Sequence, residues 1–312
     1  MESRQRVLLI GVGNIGRRHL QGLLLSRMSF DIHVVDPFES SLEAARQLII
    51  ESSEHSHTIS FHSNYSNLPK QANIAIIATA ADIRFRVLEE LLNSCSLAYV
   101  ILEKVLFQKL SDYEQAQSLL AKASTLAYVN CPRRYFPHYQ KLHAEAFSRD
   151  WKMTVTGSNW GLACNAVHFI DLYNYLTGEI PEAYDTTALL PEIVASKRAG
   201  FVEVNGSLKS KDGRLEINCL LEEGHPIEVK LARADEQILI QEGKGLVEGF
   251  STNYEAIPLS QMAHLPVQEL LVNGTCGLTP YALSASLHQP FIQALLEFAA
   301  GKINIENGLP IT

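Results

Sequence analysis

Residues 7–25 read VLLIGVGNIGRRHLQGLLL, and residues 30–38 read FDIHVVDPF. Val7 to Ile10 is a short, unbroken apolar run, the pattern of a strand buried on both faces of a parallel sheet. Gly11, Gly13 and Gly16 follow at GxGxxG spacing, after which Leu20, Leu23 and Leu24 fall at the helical period. A strand, a glycine turn and a helix in that order give the motif its meaning. Gly11 permits the tight turn, Gly13 lets a pyrophosphate approach the backbone, and Gly16 lets the helix pack close to the strand. The opening helical residues Asn14 and Ile15 bring free N–H groups and the positive dipole end toward the phosphates. The second run ends in Asp36, twenty residues past Gly16, where a carboxylate can take both hydroxyls of an adenosine ribose. Pro37-Phe38-Glu39 offers no cation for a 2′-phosphate, so the cofactor expected is NAD, with NADP disfavoured.

Working outward, 312 residues suffice for two domains, each with its own core. The apolar share of 46% and charged share of 19% are those of a globular protein. A net charge of −8 argues against a nucleic-acid or anionic-membrane surface. Five scattered cysteines without a CxxC suit reduced thiols better than a disulfide framework. No apolar run reaches membrane-spanning length, and Arg4 to Ile10 leads into a strand rather than a signal-peptide core. The expected location is the cytoplasm.

The first part repeats a strand–helix rhythm. Strands are predicted at 6–11, 31–36, 58–62, 73–78, 98–103 and 126–130, with helices near 14–26, 40–52, 82–94 and 111–124. Ser111 with Glu114 three residues on reads as a capping box. This alternation predicts a doubly wound parallel sheet, a Rossmann domain over 1–130, with ligands at the carboxyl ends of its strands. Ala78-Thr79-Ala80 ends one such strand with small residues that let a nucleotide lie against the backbone. Glu103-Lys104 ends another. The pair is either a solvated loop pair or a cleft group, in which case the Lys104 ammonium stabilises a developing alkoxide.

From Asn130 the character changes, and 131–312 is expected to form an α+β domain with a mostly antiparallel, open sheet. Arg133-Arg134-Tyr135 leads into a helix with Pro137 in its first turn. A strand is predicted at 153–157 and an amphipathic helix from about 166 to 177, carrying His168 and Asp171 on one face. His168 is a packed residue or a catalytic base; Asp171 either fixes its tautomer or is structural. No third residue at suitable spacing supports a metal site. One-sided strands at 201–205, 215–220, 227–231 and 237–240 follow, and then helices at 261–273 and 281–300. An open sheet with a polar face is either solvated or paired with another subunit.

Taken in order, GVGNIGRRH at 11–19, IIAT at 76–79, Glu103-Lys104 and HFIDL at 168–172 resemble the Gfo/Idh/MocA family of glucose–fructose oxidoreductase and inositol dehydrogenase relatives. The resemblance runs over essentially the whole chain. It implies an NAD(P)-dependent dehydrogenase acting on a sugar or cyclitol hydroxyl, assembled as a homodimer or homotetramer. The family's EKP lysine maps onto Lys104, which also lies with Glu103 at the cofactor, and its helix histidine maps onto His168 as general base. Arg134, Tyr135, Trp160, Asn165 and Asp171 are then the candidate substrate contacts. The sequence departs from the pattern at Val105 for the EKP proline, at Ala80 and Arg84 for a proline and histidine, and at Cys164 for an aspartate. The segment 160–168 is reminiscent of members acting in bacterial surface-sugar or nonulosonic acid metabolism. Two rivals remain: a non-catalytic NAD-binding sensor or regulatory subunit, which Cys164 favours, and a reductase of imine or tetrapyrrole-like substrates, which needs no Lys–His pair.

Overall fold

The computed structural model describes residues 4–52, 54–252 and 257–312. In chain order the elements are β1 (Gln5–Ile10), α1 (Asn14–Leu24), β2 (Phe30–Val35), α2 (Glu39–Ile50), β3 (Thr58–His62), β4 (Gln71–Ile77), α3 (Ala81–Ser94), β5 (Ser96–Leu102), α4 (Leu110–Ala123) and β6 (Leu126–Val129). They continue with α5 (Pro137–Ala146), β7 (Lys152–Ser158), α6 (Leu162–Thr177), β8 (Tyr184–Asp185), β9 (Leu189–Ala195), β10 (Val202–Ser210) and β11 (Leu215–Leu220). The last are β12 (Glu228–Arg233), β13 (Glu236–Gln241), β14 (Leu246–Glu248), α7 (Leu259–Met262), α8 (His264–Asn273), β15 (Thr279–Pro280) and α9 (Tyr281–Ala299).

The chain divides into two compact units. The first gathers the chain up to Leu106, Glu114–Asn130 and Ile257–Tyr281. Its sheet has the order β15-β6-β5-β4-β1-β2-β3, parallel except for the antiparallel edge strand β15. Order 3-2-1-4-5-6 is the doubly wound arrangement, with its topological switch point between β1 and β4. The apolar run reads as expected: Val7, Leu8 and Leu9 are 0% exposed. On α1, Leu20 and Leu23 are equally buried, each removal from water stabilising by about 1.5–3 kcal/mol.

The return of 257–281 to this unit is not legible in sequence order. Helix α7 packs against α1 at Gly22, where an added Cβ would lie 2.7 Å from that of Ala263. Gln268 Nε2 donates to Ser26 Oγ at 2.8 Å. The predicted capping box is absent: α4 begins at Leu110, so Ser111 lies within the first turn, and its hydroxyl turns to Asp112.

The second unit gathers Phe107–Tyr113, the stretch from Cys131 and Ala282–Thr312. Its sheet runs β14-β13-β12-β7-β11-β10-β8, with β9 on β10, antiparallel except for the parallel pair β7–β11. Met153 and Val155 on β7, Ile217 on β11 and Leu231 on β12 are buried, while Thr154, Thr156, Glu216, Asn218 and Lys230 on the alternate face are half-buried. Helix α6 packs against β10 and β11. It starts at Leu162, four residues before the sequence expectation, because Gly161 at φ +79° supplies the left-handed entry. Strands β8, β9 and β14 extend the sheet beyond the strands that the sequence predicts.

Candidate active site

In the first unit the three glycines have different surroundings. Gly11 holds φ +85°, and a Cβ there would sit 3.0 Å from Thr79 Cγ2, so the glycine turn and the Thr79 loop pack directly on each other. A Cβ on Gly16 would lie 1.9 Å from Gly11 O, which fixes the close approach of α1 to the turn. Above Gly13, nothing lies within 4 Å of an added Cβ. Gly13 is also the N-cap of α1, which has no side-chain cap and no acidic residue in its first turn. The first amides of α1, with exposed Asn14 and half-buried Ile15, therefore meet an open cradle of the kind that accepts a pyrophosphate.

Asp36, 6% exposed, is held by two backbone amides: Val12 N donates to Oδ2 at 2.8 Å and Phe38 N to Oδ1 at 3.0 Å. These bonds lock the carboxylate at the end of β2, beside the glycine turn. Ala78, Thr79 and Ala80 are half-buried at the end of the neighbouring strand β4. The NAD cofactor implied by the motif therefore fits the residues present.

At the end of β5, Glu103 is buried, and its Oε1 accepts from His19 Nε2 and from Asn130 Nδ2, each at 2.6 Å. Burial pushes this carboxyl's pKa up, but the two hydrogen bonds and the charges of His19 and Lys104 outweigh it and hold the pKa below the ordinary value. Glu103 is thus a buried anchor, and Lys104 follows it as a half-buried residue. The Lys104–Val105 peptide bond is cis. Sequence reading missed His19. Its signal was a histidine on the buried face of α1, one turn beyond Gly16, and a buried polar ring needs a partner.

In sequence, Arg84 stands out only as a departure from a pattern. It is 1% exposed, and its guanidinium donates to the carbonyls of Thr79, Val105 and, at 3.0 Å, Leu106.

In the second unit, α6 is buried except at Asn165, His168 and Tyr175, which form one half-buried stripe. Asp171 lies off that stripe, 2% exposed, in a paired hydrogen bond with Arg134: Nε to Oδ2 at 2.7 Å and Nη2 to Oδ1 at 3.0 Å. Arg134 also donates to Asn174 Oδ1 and lies over the Tyr175 ring. The neighbouring Arg133 points to Glu242, with Nε to Oε1 and Nη2 to Oε2 both 2.8 Å, and lies 4.1 Å from the centre of the Phe169 ring. Burial lowers the Arg133 pKa, but the Glu242 charge and hydrogen bonds outweigh it and raise it overall. Next to this pair, burial drives His138 down to about 4, so it is neutral at neutral pH.

Of the remaining candidates, Tyr135 is buried, and Trp160 donates from Nε1 to Asn218 O at 3.0 Å while meeting Phe169 edge-on. Asn165 Nδ2 donates to the carbonyls of Trp160 and Gly161. Cys164 is 7% exposed, and at this helix start Glu203 Oε2 accepts from Ala163 N at 2.8 Å and Cys164 N at 3.3 Å. The sequence reading missed Glu203 as well. Among the described residues no cluster of His, Cys, Asp and Glu is placed to hold a metal, and no helix is long and apolar enough to cross a membrane.

Comparison with known proteins agrees with this geometry. Residues 5–131 match the Gfo/Idh/MocA description, an oxidoreductase family with an NAD-binding Rossmann fold. No curated protein matches by sequence. Among solved structures, UDP-N-acetylglucosamine 3-dehydrogenase GnnA from Acidithiobacillus ferrooxidans is 12% identical at a TM-score of 0.71, covering 94% of this chain and 97% of its own. The scyllo-inositol dehydrogenase of Lactobacillus casei, solved with NAD(H) and scyllo-inositol, is 14% identical at 0.66, covering 95% and 97%. At such identities the likeness is one of fold. Residues 5–131, which carry the glycine cradle and anchored Asp36, are thus similar to the NAD-binding Rossmann fold of that oxidoreductase family.

Proposed function

We propose that the protein is a cytoplasmic, NAD-dependent dehydrogenase acting on a hydroxyl-bearing carbon of a sugar or sugar derivative. The observation that carries this reading is the open, uncapped start of α1 above Gly13, beside a carboxylate fixed by Val12 and Phe38. Bound NAD supplies the hydride acceptor. The amides of α1 hold its pyrophosphate, and Asp36 takes the adenosine ribose hydroxyls and disfavours a 2′-phosphate.

Lys104 polarises the substrate oxygen and stabilises alkoxide character, and His168 removes the hydroxyl proton. The half-buried stripe on α6 supports the role of His168, with Asn165 beside it as a substrate contact. Arg134 and Asp171 are spent on each other, which supports a role in holding α6 rather than in touching substrate. Tyr135 and Trp160 serve as walls.

The test is a screen of sugars, cyclitols, nucleotide-sugars and nonulosonic acids for growth of the reduced-nicotinamide absorbance. A substrate whose oxidation needs both Lys104 and His168 supports the reading. NAD binding with no turnover across the screen selects the non-catalytic alternative.

A further inference from the structure

We propose that Arg84 is a positioning residue. Its guanidinium ties the loop after β4 to the loop that carries Lys104, fixing both in one geometry. The inference rests on the proposed roles of Lys104 and the Thr79 loop.

The argument begins with cost. A guanidinium keeps its charge in any protein environment, and taking a cation out of water is costly unless hydrogen bonds replace its hydration. Arg84 is nevertheless 1% exposed, near the start of α3. Its contacts lie on two separate segments. Nη2 donates to Thr79 O, at the exit of β4, and Nη1 donates to Val105 O and Leu106 O, just past Lys104 at the exit of β5. β4 and β5 are parallel neighbours, so both exits open at the same carboxyl edge of the sheet.

The planar fork is what makes the double attachment possible. Its terminal nitrogens diverge from one carbon, so one side chain can face two loops at once; a lysine ammonium is a single point on a flexible stem. Thr79 also touches the glycine turn through Gly11. Displacing Arg84 should therefore be felt both in the cofactor cradle and at Lys104. A side chain that merely filled core volume would be replaceable by methionine without either effect.

The experiment uses the full chain with Arg84→Lys, Arg84→Met and Arg84→Gly, each checked for folding by circular dichroism. Lysines are methylated with ¹³C, and the Lys104 signal is identified by its loss in Lys104→Arg. Its titration curve and line shape are followed, and NADH affinity is measured by fluorescence. The expected result is a displaced Lys104 titration in Arg84→Lys and Arg84→Met, and NADH binding weakened about tenfold or more. In Arg84→Gly, millimolar guanidinium ion should restore both, while equal sodium or ammonium should not. A folded Arg84→Lys with wild-type Lys104 titration and NADH affinity overturns the proposal, as does the absence of guanidinium rescue. If Arg84→Met fails to fold, Arg84→Lys decides. If the wild-type protein binds no NADH, the functional reading falls, and the Lys104 signal still decides the role of Arg84.

Discussion

His19 and Glu103 stand 84 residues apart in sequence and meet at 2.6 Å, joining the first helix after the glycine turn to the residue before Lys104. Because the Glu103 carboxyl is held below its ordinary value of 4.5, it is the carboxylate that accepts and His19 Nε2 that donates. The sign of the pH effect follows. A depressed pKa contributes stability that is complete above the unfolded value and fades as the pH falls below it toward the folded one. Wild-type melting temperature should therefore drop as the pH falls below about 4.5, and Glu103→Gln should show a shallower drop there. Melting curves across that range check this; equal slopes would remove Glu103 from the account.

Two glycines three residues apart should fail in different ways. An alanine at Gly13 meets no atom within 4 Å, so Gly13→Ala should fold normally but crowd the pyrophosphate and lose NAD affinity. An alanine at Gly16 would drive its Cβ into Gly11 O, so Gly16→Ala should lose stability by about 1–3 kcal/mol. Asp36→Ala should show both losses: NAD should bind about ten- to a hundredfold more weakly, the scale of a lost charged hydrogen bond, with relative use of NADP improved, and the unpaired Val12 and Phe38 amides should lower stability. Isothermal titration paired with thermal melts separates the two classes.

Turnover should depend on Lys104 and His168 more than cofactor binding does. His168→Ala and Lys104→Ala should each lose about 10² to 10⁴ in rate on a proven substrate, with NAD affinity little changed. Lys104→Arg should not rescue, since a planar guanidinium does not give up its proton. An unchanged rate in His168→Ala would remove it from the chemistry.

Placing a carboxylate at Cys164 should be harmful in this chain. The Cys164 amide already donates to Glu203 Oε2, and its thiol faces Val202 O, so an aspartate there would meet a carboxylate and a carbonyl. Cys164→Asp should lose about 1–3 kcal/mol, and Glu203→Gln should recover part of it. A stable, faster Cys164→Asp enzyme would mean that the carboxylate is simply missing here.

Association of copies of the chain into a homodimer or homotetramer is expected through the alternate face of the second sheet, where Thr154, Thr156, Glu216 and Asn218 lie. Sedimentation should return a multiple of 34.7 kDa at micromolar concentration; a monomer would count against it.

The cofactor half was legible because its determinants are local. A buried strand, three glycines and an acidic residue at fixed spacing leave the backbone few alternatives, and the sheet order follows from strand–helix alternation. Asp36, the Thr79 loop and the EK pair could all be named in advance as strand ends. The partners of those residues could not. His19 reaches Glu103, Arg134 takes Asp171, Arg133 takes Glu242, and Glu203 caps α6, each across a distance in sequence where pairing leaves no periodic trace. Burial decided them: a polar group removed from water must find whichever complementary group the fold brings near, and only the packed tertiary structure says which one that is.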